Sequence, residues 1–64
     1  MEYDVWIHNK TGNKYYLVKD NIINCTNGHE SELFVLYKNL SGQLFCRERN
    51  EFLEKFTKEV IHAN

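Results

Sequence analysis

The chain has 64 residues, 42% of them hydrophobic and 14% aromatic, and a formal net charge of −1. A chain this short forms one domain, residues 1–64, and buries only about 60% of its unfolded surface; its aromatic content excludes a disordered chain. The charge balance argues against a generic nucleic-acid binder, which carries a basic excess, and leaves room only for a local patch such as Arg47 and Arg49.

Residues 3–8, YDVWIH, alternate as a half-buried strand does. Tyr3, Val5 and Ile7 project to one face and Asp4, Trp6 and His8 to the other. Residues 9–13 form a turn around Gly12, and residues 14–19, KYYLVK, form a second strand, with Tyr15 and Leu17 opposite Tyr16 and Val18. Residues 20–24 continue that strand after a bend. Residues 25–30 connect it to the next, with Asn27-Gly28 as a hairpin-turn dipeptide. Residues 32–49, ELFVLYKNLSGQLFCRER, then read as an antiparallel hairpin turning at residues 40–43. Its outgoing strand is apolar on both faces, Leu33, Val35 and Tyr37 on one and Phe34 and Leu36 on the other. Such a sheet is strongly bent, or its second face is covered by the C-terminal segment or by another subunit.

Asn50 is a candidate N-cap, with Glu51 in the first turn. The favoured reading is a short helical turn over residues 51–55 followed by a last strand over residues 57–62 that hides a sheet edge. The rival is one amphipathic helix placing Phe52, Leu53, Phe56 and Val60 on one face. The fold expected is therefore all-β, a small barrel of about five antiparallel strands. The alternative is an α+β antiparallel sheet with a C-terminal helix.

The N-terminal residues carry no signal-like apolar run, and no run approaches membrane-spanning length. The expected compartment is the cytoplasm, with Cys25 and Cys46 reduced. Three Asn-x-Ser/Thr patterns, at Asn9, Asn24 and Asn39, have no use as glycan acceptors there.

The ordered set His8-x-Lys10-Thr11-Gly12-x-x-Tyr15, Asn24-x-Thr26, Val35-x-Tyr37, Arg47 and Phe52 resembles a family of short bacterial and phage proteins with a domain of unknown function. That family pairs an opening His-x-Lys-Gly and Tyr with a central Val-Val-Tyr, a late Trp-Val-Arg-Pro and a following aromatic. The resemblance spans Trp6 to Phe56. The chain departs from the pattern where Thr11 precedes the glycine and where Glu48 stands in place of proline. The resemblance implies an SH3-like barrel with a short helical turn before its last strand. It also implies a phage or prophage accessory protein acting on host components, and no established activity.

The candidate binding residues are Trp6, His8, Lys10, Tyr16, Arg47 and Arg49. His8 is either an anion contact or a structural anchor of the first turn. Arg47, on the face of Phe45 and Arg49, either grips a phosphate or carboxylate or pairs with Glu48 or Glu51. Trp6, Tyr16 and Phe34 are expected on the outer face of the sheet, as an interface or under the C-terminal segment. His8, His29, His62, Cys25 and Cys46 lack zinc-ligand spacing. Cys25 and His29 straddle a flexible turn with no third group to orient the histidine. Neither catalysis, a metal nor a cofactor is expected. The leading function is non-catalytic binding of a host protein, such as a defence component. The alternatives are an oligomeric sponge for a nucleotide-type ligand and single-stranded nucleic-acid binding.

Overall fold

The alternation, the turns and the late helical stretch assemble into five antiparallel strands and one short helix. The computed structural model describes residues 3–60. In chain order these are β1 (Val5–His8), β2 (Lys14–Ile23), β3 (Leu33–Asn39), β4 (Leu44–Glu48), α1 (Arg49–Lys55) and β5 (Phe56–Lys58). The sheet order is β4-β3-β2-β1-β5. Consecutive strands are neighbours except that β5 returns to pair with β1, with Trp6 opposite Lys58 and His8 opposite Phe56. The sheet is not closed: β4 and β5 are the ends of an open ladder among the described residues. Among those residues no helix is long and apolar enough to cross a membrane.

β2 is the longest strand and the one that bends. Its register against β3 shifts twice, between Leu17 and Lys19 and between Lys19 and Ile22. Asn21 takes φ 56° at the second shift, a left-handed conformation that asparagine tolerates better than other non-glycine residues. Each shift adds a residue to one strand and increases the local twist, so the bend expected at residues 20–24 is built into the strand itself. Asn27-Gly28 does not make a two-residue hairpin. It sits inside a nine-residue connection, residues 24–32, closed where the Asn24 N–H donates to the Glu32 carbonyl at 3.1 Å.

The helix starts two residues earlier than expected. Its N-cap is Glu48, not Asn50: the Glu48 carboxylate accepts from the backbone N–H groups of Asn50 and Glu51. Asn50 lies inside the helix, because the preceding strand ends at Glu48 and hands the chain straight into the turn. The last strand begins at Phe56 and ends at Lys58; His62 lies outside the described residues.

The core is aromatic. Val35, Tyr37, Phe52 and Phe56 are buried, with Trp6, Tyr15, Leu17 and Phe45 packed against them. Phe52 and Phe56 stack at 4.4 Å and 11°. Both lie within one turn of the helix end, so the expected helical spacing holds between them although Phe56 already belongs to β5. Leu53 and Val60, placed on the same face in the helical reading, are exposed. The helix therefore covers the Val35 and Tyr37 face of the sheet. The Phe34 and Leu36 face remains half-buried.

This arrangement corrects the expected position of Trp6. It pairs with Tyr15 across the strands and packs on Phe52 at 5.1 Å, on the core face rather than the outer one. Alternation told which residues share a face but not which face is inside, because Val5 and Ile7 are apolar too. The indole Nε1 of Trp6 is buried with no hydrogen-bond partner among the described residues. Tyr16 and Phe34 do lie on the outer face, Tyr16 opposite Lys38 and Phe34 opposite Ile22.

Candidate functional site: an aromatic cleft between His8 and Arg47

The sheet face that carries the core is not filled at one end. There His8, Thr11, Tyr15, Tyr37, Phe45, Arg47 and Phe56 line a half-open cleft of about 210 Å³. The walls are aromatic and mutually braced. Tyr15 meets Tyr37 edge-on at 5.5 Å and Phe56 at 5.4 Å. Tyr37 stacks on Phe45 at 5.6 Å. Tilted and edge-to-face pairs at these separations are the favourable geometries for aromatic rings, so the walls form without a ligand.

Two polar groups define the cleft. His8 ends β1, and the chain reverses at once through Thr11 and Gly12. The His8 Nδ1 accepts the Thr11 N–H at 3.3 Å and lies 3.2 Å from the Thr11 hydroxyl. The ring also packs edge-on against Phe56 at 4.9 Å. With Nδ1 accepting a backbone N–H, the neutral imidazole carries its proton on Nε2, so a donor is left for a ligand. Arg47 stands in β4 with its guanidinium carbon 5.7 Å from the Phe56 ring centre. Its Nη1 donates to Glu51 at 3.0 Å. One edge of the guanidinium is thus held by the helix, and its remaining N–H groups are available to a carboxylate or phosphate.

Of the six residues singled out from the sequence, the fold brings His8 and Arg47 into this cleft. Lys10 is exposed in the same turn as Thr11. Trp6 is on the core face. Tyr16 is on the opposite side of the sheet, where its ring and that of Tyr3 flank the Lys38 ammonium at 6.0 Å and 4.3 Å. Arg49 does not share the face of Arg47, because strand alternation ends at Glu48 and Arg49 opens the helix. It donates to Asp20 at 3.0 Å, fastening the helix start to the bent part of β2. The sequence reading missed Thr11, Tyr15, Tyr37, Phe45 and Phe56 as cleft residues. The shared face of Phe45 and Arg47 was legible; the strand register that adds Tyr15 and Tyr37 was not.

The loop pair Cys25 and His29 also differs from expectation. A third group does orient the histidine: His29 Nδ1 lies 2.5 Å from the Glu32 carboxylate. The Cys25 thiol donates to the Ile23 carbonyl at 3.8 Å, so neither bond joins the two side chains.

Searches against protein-family models, curated proteins and solved structures found no match to this chain. The functional reading therefore starts from the cleft.

Proposed function

We propose that this chain is a small non-catalytic binding protein that takes a side chain or carboxylate of a protein partner into the His8 and Arg47 cleft. The carrying observation is the match of size and chemistry. Pockets that enclose drug-sized ligands run from roughly 300 to 1,000 Å³, whereas this cleft has about 210 Å³. That volume suits one protein side chain and falls short of a whole nucleotide. Aromatic walls with one arginine in the lining are the composition of interface hot spots.

The resemblance to short bacterial and phage proteins points to a host protein, such as a defence component, met in the host cytoplasm. The same resemblance supports reading the curved, open sheet as an SH3-like half-barrel. Its meander order, the helical turn before the last strand and the return of that strand to β1 all suit this reading. Lys10 joins the proposed contact surface as a rim charge beside Thr11. Trp6 and Arg49 support the cleft from the core and the helix start.

The test is affinity capture from host lysate with three forms of the protein. Wild type and Tyr16→Ala, altered on the far face, are expected to retain the same partner. Arg47→Ala is expected to lose it while keeping the wild-type circular dichroism spectrum. Retention of the partner by Arg47→Ala would remove the cleft from the contact. Native mass spectrometry showing added mass in the nucleotide range would replace this reading with the nucleotide sponge.

A further inference from the structure

We infer that β4 is a self-pairing edge, through which two copies of this chain join antiparallel about a two-fold axis at Phe45. β4 ends the sheet order, and among the described residues its only strand neighbour is β3. The Asn39 N–H donates to the Gln43 carbonyl at 3.1 Å. Antiparallel ladders alternate between bonded and non-bonded pairs. Tyr37 with Phe45 and Val35 with Arg47 are therefore bonded pairs, in step with Asn39 and Gln43. Leu44 and Cys46, opposite Lys38 and Leu36, turn their N–H and C=O groups away from β3.

A two-fold centred on Phe45 places Leu44 opposite the partner's Cys46, and Cys46 opposite the partner's Leu44. The outward N–H and C=O groups of these residues then satisfy one another across the axis. Both side chains are exposed in the single chain, Leu44 at 59% and Cys46 as a free thiol. The pairing sets apolar against apolar on the outer face. On the concave face Phe45 meets the partner's Phe45 at a non-bonded pair, the closer of the two pair types.

The edge lacks two of the usual defences, a bulge and a proline. Its ladder with β3 runs without a register shift, and the chain contains no proline. β5, the other end of the sheet, has three residues and ends in Lys58, the short and charged form that blocks edge pairing. The two charges on β4 are engaged within their own chain, Arg47 with Glu51 and Glu48 with the helix N-terminus. A second copy is the occupant that fits, because the Leu44 and Cys46 pattern is complementary to itself. Small domains gain buried area this way. Because Phe45 lines the cleft, the partner's Phe45 would extend its aromatic wall. The inference does not depend on which ligand the cleft takes.

Sedimentation equilibrium of the wild-type protein at concentrations up to about 1 mM is expected to show a monomer–dimer equilibrium. Leu44→Lys is expected to weaken it by at least about tenfold, since each dimer loses two buried leucines, with a wild-type melting temperature at dilutions where both proteins are monomeric. Register is read by mild diamide oxidation. Cys25→Ser with Leu44→Cys is expected to cross-link position 44 to the partner's Cys46. Cys25→Ser alone is not, because Cys46 and the partner's Cys46 are diagonal neighbours about 7–8 Å apart, beyond disulfide reach. A wild-type protein that stays monomeric across the range overturns the inference. So does a dimer equally tight in Leu44→Lys, or one cross-linked as readily by Cys25→Ser alone.

Discussion

Replacing Phe52 with alanine tests whether one side chain holds the helix on the sheet. Phe52 is 1% exposed, stacks on Phe56 at 4.4 Å, and touches the rings of Trp6 and Tyr37, each at 5.1 Å. Truncating such a ring costs about 3–5 kcal/mol, from lost transfer energy and the cavity left behind. Domains of this length have a total stability of roughly 3–10 kcal/mol, so the change removes about three-tenths of it at the least. The helix has seven residues, and isolated helices shorter than about 12 residues are marginal even in favourable sequences; without Phe52 it is left with exposed or half-exposed polar contacts such as Arg49 to Asp20 and Arg47 to Glu51. β5 follows directly, so the β1 edge is exposed as well. Urea titration at 25 °C, followed by far-ultraviolet circular dichroism and by the fluorescence of Trp6, measures the loss. Leu53→Ala, in the same helix but 44% exposed, is the control and is expected to cost under about 1 kcal/mol. If Phe52→Ala leaves no folded baseline, Phe52→Leu keeps most of the volume and is expected to fall between the two. A Phe52→Ala variant within about 1 kcal/mol of wild type would refute the account of the core.

Three further outcomes follow from the geometry. Asn21 holds φ 56°. Asn21→Gly is expected to be neutral or mildly stabilising, and Asn21→Val to cost at least about 1–2 kcal/mol in thermal unfolding. Glu48→Ala removes the acceptor for the Asn50 and Glu51 N–H groups at 2.9 and 3.1 Å. It is expected to cost about 0.5–2 kcal/mol, with Glu48→Gln recovering part of the loss. Arg47→Ala breaks an ion pair whose side chains are 30% and 50% exposed. Calorimetry is expected to show a loss of no more than about 1 kcal/mol, which keeps its binding phenotype separable from unfolding.

Strand positions were written locally and could be read. Two-residue alternation marked β1 and the first half of β2. The turns at Gly12 and Gly42, both at positive φ, marked where those strands reverse, because few residues other than glycine take that backbone conformation without strain. The short helix before the last strand was also expected, from Glu51 in a first turn and from a sheet edge that a final strand would hide, although its start at Arg49 was not. The sign of each face was not. Val5 and Ile7 compete with Trp6 and His8 as apolar or ring-bearing sides of the same strand, so alternation fixes the parity and leaves the direction open. Direction was decided when Phe52 and Phe56, nearly fifty residues further on, packed against one side. The cleft belongs to the same class of fact. His8, Tyr15, Tyr37, Arg47 and Phe56 stand on five different strands. Their meeting depends on the register between strands, which no local pattern encodes.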